Sequence, residues 1–150
     1  MKKVADLILK SLLAVLLGVA PAHAWTFTPG PICELTHTEA STTVTLTYDP
    51  GAPLYTISNT RPDALPTAST FAIRFDGPQP IQIGTDRHTY DAANTTLTVS
   101  DSGFGNVLNG LQFNDSMSAL IGDETLSVSL EGAAAPTAAF RACEGPQPSV

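Results

Sequence analysis

A two-residue alternation of apolar and polar side chains constrains this chain more than any other feature. In Thr42 to Asp49 (TTVTLTYD), Val44, Leu46 and Tyr48 fall on one side, and Thr43, Thr45 and Thr47 on the other. Strand side chains alternate between faces, so such a run fits a sheet with one buried and one wet face and does not fit a helix. The pattern returns in Phe71, Ile73 and Phe75 against Ala72, Arg74 and Asp76. It returns again in Leu97 and Val99 against Thr96, Thr98 and Ser100, and in Leu126, Val128 and Leu130 against Ser127 and Ser129. Shorter strand candidates are 33–38, 54–58, 81–83 and 87–90. Turn residues separate them: Asp49-Pro50-Gly51, Asp76-Gly77-Pro78, Asp91 to Asn94, and Asp101-Ser102-Gly103. Half-buried strands of this kind build antiparallel sheets.

Two short helices are expected beside the strands. The first spans about Ser116 to Ile121, capped by Asn114 or Asp115 and ended by Gly122. The second spans about Pro136 to Cys143, with Pro136 in its first turn. The glycines of Gly103 to Phe113 (GFGNVLNGLQF) argue there for a strand or loop. The expected fold is mainly β: an antiparallel sandwich or partial barrel with one or two short helices.

Residues 1–24 read as a secretory signal peptide. Lys2 and Lys3 open it, an apolar run follows from Leu12 to Ala20, and Pro21 breaks the run. Ala22-His23-Ala24 then supplies the small residues that a leader peptidase reads. The run is shorter than the roughly 20 apolar residues of a membrane span, so no span is expected after cleavage. Residues 25–143 are expected to form a single β-rich domain, and 144–150 (EGPQPSV) a flexible tail. The expected location is the periplasm or the medium.

Cleavage would remove all three lysines (Lys2, Lys3, Lys10) and one acid, Asp6. Four arginines against thirteen acids then leave a formal charge of −9. Such a surface repels phosphate backbones, so no nucleic-acid partner is expected. Cys33 and Cys143 are the only cysteines. In an oxidising compartment they are expected to form one disulfide. Neither has a second cysteine or histidine at metal-ligand spacing.

Motifs for chemistry are absent. There is no P-loop, no Gly-x-Ser-x-Gly elbow, and no His-x-x-x-His or Cys-x-x-Cys pair. Asp101, Gly103 and Asn106 hint at a calcium loop, but Leu111 and Gln112 stand where its glutamate belongs. No cofactor or metal is therefore expected. The densest polar group is Asp86, Arg87, His88 and Asp91 in TDRHTYD. On a strand, Asp86 and His88 would share a face, and a carboxylate beside a histidine suits acid–base chemistry. The same residues also suit a polar edge strand that discourages sheet-to-sheet pairing.

The segments Phe71 to Pro78 (FAIRFDGP), Thr85 to His88 (TDRH), Asp101 to Phe113 (DSGFGNVLNGLQF) and Phe140 to Cys143 (FRAC) carry a resemblance. Through them the chain resembles a group of small exported alphaproteobacterial proteins to which no activity is assigned. Members sometimes carry a name transferred from the helicase component of excinuclease ABC, a DNA-repair complex. That activity needs a P-loop and a basic surface, which this chain lacks. The Phe-x-x-Cys ending is also similar to exported invasion-associated proteins of the same bacteria, which implies an envelope role. The resemblance supplies no catalytic residues.

The leading expectation is a non-enzymatic periplasmic binding or accessory protein, with a small ligand or an envelope protein as partner. One alternative is a small hydrolase or metal-dependent enzyme using Asp86 and His88. Another is a subunit of an envelope assembly that adds a strand through a sheet edge.

Overall fold

A computed structural model describes residues 24–143. The expected leader and the expected tail lie outside the described residues, apart from Ala24. The elements in chain order are β1 (Thr26–Thr28), β2 (Cys33–Glu39), β3 (Thr42–Asp49), β4 (Leu54–Thr60), β5 (Phe71–Asp76), β6 (Ile81–Thr85), β7 (Thr89–Tyr90), β8 (Thr96–Asp101), α1 (Gly105–Phe113), β9 (Ser116–Ile121), β10 (Glu124–Ser129) and α2 (Ala134–Arg141). One sheet has the order β1-β2-β3-β4-β8-β7 and the other β10-β9-β5-β6. Every pairing is antiparallel and neither sheet closes into a barrel.

Register turns the sequence alternation into two faces. Phe27, Leu35, Leu46, Ile57 and Val99 stand side by side across five strands of the large sheet. In the small sheet Val128, Met117, Phe75 and Ile81 form one row, and Leu126, Ala119, Ile73 and Ile83 the next. These inner rows belong to one shared hydrophobic core. The outer face of the large sheet is a field of hydroxyls. Thr26, Thr36, Thr45, Ser58, Thr98 and Thr89 form a row across all six strands. Neighbouring hydroxyls bond to one another, as in Thr38–Thr43, Ser58–Thr98 and Thr60–Thr96, each at 2.9 Å. Threonine suits a solvated strand face, and such cross-strand pairs support the register.

Two expectations about elements 105–121 are corrected. Ser116 to Ile121 is a central strand, not a helix. Met117, Ala119 and Ile121 are buried at period two, and Gly122 (φ +57°) begins a two-residue hairpin loop to β10 where a helix stop was expected. The glycine-punctuated stretch before it is a helix, not a strand or loop. Val107, Leu108 and Leu111 are buried at helical spacing. Gly110 does not break the helix because it is where α1 meets the core: a Cβ there would sit 2.2 Å from the Phe75 ring. Asn114 ends the helix, its Nδ2 donating to the Gly110 carbonyl at 3.1 Å and to the Gln79 carbonyl at 2.8 Å.

The second helix begins two residues earlier than expected, so Pro136 sits inside its first turn, where a missing N–H leaves no bond unmade. Cys143 follows it, and its N–H donates to the Phe140 carbonyl at 3.1 Å. The Cys33–Cys143 disulfide joins β2 to the end of α2 across 110 residues, with a Cα–Cα distance of 6.5 Å. Tyr48, Tyr55, Phe104 and Phe140 form an aromatic cluster at the helix-covered end of the sandwich, with Tyr48 and Tyr55 stacked at 4.3 Å. β1, which the sequence pattern did not mark, is a three-residue edge strand.

Candidate functional site

The polar cluster marked in the sequence does not assemble as one site. Only Thr89 and Tyr90 pair as a strand, so Asp86, Arg87 and His88 lie in the loop before it. The shared strand face assumed for Asp86 and His88 therefore does not exist. Asp86 is exposed and makes no hydrogen bond or ion pair among the described residues. His88 turns inward: its Nε2 lies 2.7 Å from the Ala68 carbonyl, and its ring packs edge-on to Tyr90. Asp91 holds a turn. It accepts from the Thr95 N–H at 2.8 Å, the Thr96 N–H at 3.1 Å and the Thr95 hydroxyl at 3.1 Å. The Thr96 N–H, with the Thr95 groups, keeps its carboxyl below the usual carboxylate range.

The two histidines of residues 25–143 are far apart. His37 shares a row with Val44, Asn59, Leu97 and Tyr90, so it stands four strand spacings, about 19 Å, from the strand that follows His88. Among the described residues no three His, Cys, Asp or Glu side chains are placed to hold a metal. Both cysteines are in the disulfide.

Arg87 alone of the cluster points to a site. A cavity of about 450 Å³ opens between the sheets beside the start of α1. Ile57 and Val99 of the large sheet, Phe71, Ile73 and Ile83 of the small sheet, and Phe104 and Val107 of the helix region form its apolar walls. Thr85, Arg87, Asp101 and Asn106 supply its polar groups. Arg87 Nη2 donates to Asp101 Oδ2 at 3.0 Å. The arginine is 71% exposed, so this ion pair is solvent-screened and binds the mouth only weakly. Asp101 also accepts from the Ser102 N–H at 2.7 Å. That bond first, and the Arg87 charge after it, hold its carboxyl below the usual range against some desolvation.

The start of α1 borders the same cavity. Phe104 makes no side-chain cap, so the first N–H groups of the helix have no side-chain partner at the cap. Gly103 and Gly105 face open space, and a Cβ on either would meet nothing within 4 Å. The cleft thus combines apolar walls with one polar end that carries an arginine, a carboxylate and free helix donors. It can enclose a small apolar body and hydrogen-bond one end of it. It brings no nucleophile–base pair together.

Sequence reasoning marked Arg87 in the polar cluster and Asp101, Gly103 and Asn106 as a calcium-loop hint, and missed the apolar walls of the cleft. These walls come from four strands and the helix region, and each contributes an ordinary core residue. No local motif marks such a set.

No protein-family model, no curated protein and no solved structure matches this chain. The fold defines its class: an open two-sheet antiparallel β protein, tied by one disulfide, with a cleft between its sheets. Among the described residues no helix is long and apolar enough to cross a membrane.

Proposed function

We propose that the chain is an exported, non-enzymatic binding protein whose inter-sheet cleft holds a small, largely apolar molecule with one hydrogen-bonding end. The cleft carries this reading. Its volume lies within the roughly 300–1,000 Å³ of ordinary ligand sites, and it pairs apolar walls with a few convergent polar groups. The apolar body packs on Ile57, Ile73, Ile83 and Val99. The polar end meets Arg87 and the first N–H groups of α1. The disulfide supports an oxidising, extracytoplasmic location, and the leader pattern of residues 1–24 supports export.

Native mass spectrometry of the protein recovered from the periplasm, disulfide intact, tests the reading. A bound small-molecule mass is expected in the wild type and not in Val99→Trp, whose indole fills the cleft. Exposure of the wild type to a set of fatty acids and aromatic amphiphiles should raise Tm, with a smaller rise in the filled variant. Absence of both a retained mass and a ligand-dependent Tm would leave the binding reading without support.

A further inference from the structure

A second cavity, about 350 Å³, lies by the β2–β3 turn and is lined by Ala24, His37, Glu39, Ser129 and Glu131 among others. His37 is 5% exposed, borders this cavity, and has no hydrogen-bond partner on either ring nitrogen. Its nearest charge is Glu39 Oε1, 3.9 Å from Nε2. Two carboxylates, Glu39 and Glu131, thus border one space with no arginine among its lining residues. The four described arginines are engaged elsewhere: Arg61 with Glu124, Arg74 with Asp76, Arg87 with Asp101, and Arg141 with Asn109.

Trp25 is clamped beside this space. Its ring stacks on His37 with centroids 4.8 Å apart and planes within 12°. Its Nε1 donates to the Ser129 carbonyl at 2.9 Å, and Ser129 in turn donates its N–H to the Glu39 carboxylate at 3.2 Å. Trp25 is 3% exposed. The Trp25 side chain is thus fixed by two residues that line the cavity, and Ala24, bonded to the Trp25 nitrogen, lines it as well.

We propose that this cavity is an ammonium site, and that its occupant is the α-ammonium of Trp25 produced when the leader is removed. The inference rests on the export reading above. A leader peptidase adds water across the Ala24–Trp25 amide. The new carboxylate leaves on Ala24 with residues 1–24, and the amine stays on Trp25 and takes up a proton. A neutral amide is replaced by a cation beside two carboxylates and an imidazole without a hydrogen-bond partner among the described residues. Departure of Ala24 also clears one wall. The titratable groups bordering the site are His37, Glu39 and Glu131. An α-amine with an ordinary pKa of about 8 is charged at neutral pH, and two nearby carboxylates raise its pKa further. The ion pair is then present from above the ordinary glutamate range, about pH 4, through neutral pH, and is lost as pH rises through the raised value. Processing completes the fold at its N-terminal edge.

The sequence supplies an unusually clean test. All three lysines lie within residues 1–24, so a chain cut before Trp25 carries a single amine, and Trp25 is its only tryptophan. Protein recovered from the periplasm is first weighed intact, then treated with N-hydroxysuccinimide acetate at pH 8. A mass corresponding to residues 25–150 is expected. Acetylation of the native protein should be roughly fivefold slower than that of the urea-unfolded chain for a one-unit rise in pKa. Completed acetylation should shift the fluorescence of Trp25. Glu39→Gln and Glu131→Gln should each speed native labelling while far-UV circular dichroism stays unchanged. A mass starting at Trp25 with labelling as fast as in the unfolded chain overturns the ammonium site and leaves the export reading intact. Slow labelling that both variants leave unchanged also overturns it, because burial alone then accounts for the protection. A retained leader overturns the export reading itself.

Discussion

At the scale of single residues, most polar groups singled out by type turn out to serve local structure. Asp91 and Asp101 are both held below the usual carboxylate range by backbone N–H groups. A depressed folded pKa contributes stability that is present above the unfolded value and lost as pH falls through the folded one. Thermal melts should therefore show a fall in Tm below about pH 4 that is shallower in the Asp91→Asn, Asp101→Asn double variant. An acid limb identical in the two proteins contradicts this. Gly110 makes a sharper case. Gly110→Ala drives a Cβ into the Phe75 ring at 2.2 Å, which should cost roughly 1–3 kcal/mol in urea unfolding. Gly110→Ala combined with Phe75→Leu should recover part of that loss, although Phe75→Leu alone is destabilising. Sequence alone offered Gly110 as a helix breaker because its packing partner lies 35 positions away in the chain.

At the scale of elements, the strands were legible wherever alternation was long. The eight-residue strand from Thr42 to Asp49 appears with the bounds its pattern implies, because each of its side chains faces either core or water. The segment 105–121 was misread for two physical reasons. Glycine spacing suggested a non-helical stretch, yet Gly105 opens α1 and Gly110 permits its close approach to β5. Asn114 looked like a helix N-cap, yet its amide closes the preceding helix and braces the turn at Gln79, with Oδ1 accepting the Gln79 N–H at 2.9 Å. Both roles place an asparagine at a helix boundary, and composition does not say which side is helical. The disulfide was legible from count and compartment logic, and it appears as the tie between β2 and α2. The Cys33→Ala, Cys143→Ala pair should lower stability by up to ~4–5 kcal/mol for a loop of this length. Denaturant titration with and without reductant checks it: reductant should shift the wild-type midpoint and leave that of the double variant unmoved.

At the scale of the whole molecule, the two faces of the large sheet separate two tasks. The outer face is a hydroxyl lattice that bonds to itself, and the inner face supplies one wall of the cleft. Ile83→Trp tests the cleft from the opposite wall to Val99. It should compete with ligand uptake while far-UV circular dichroism remains that of the wild type. Thr45→Val, on the outer face, should leave ligand uptake unchanged. Loss of uptake in Thr45→Val would mean that the two faces are coupled through the sheet.

The chain's own order of residues determined the β class, the inner and outer side of the strands β3, β5, β8 and β10, the acidic charge and the pairing of its two cysteines. These follow from local periodicity, from counting, and from the chemistry of an oxidising compartment. Tertiary structure alone decided that 105–113 is helical, that Asp86 and His88 stand apart, and that Arg87 faces Asp101 at the mouth of a cleft. Those outcomes depend on contacts between residues tens of positions apart. The walls of a cavity are made by register between strands and by packing between sheets, and a one-dimensional pattern carries neither.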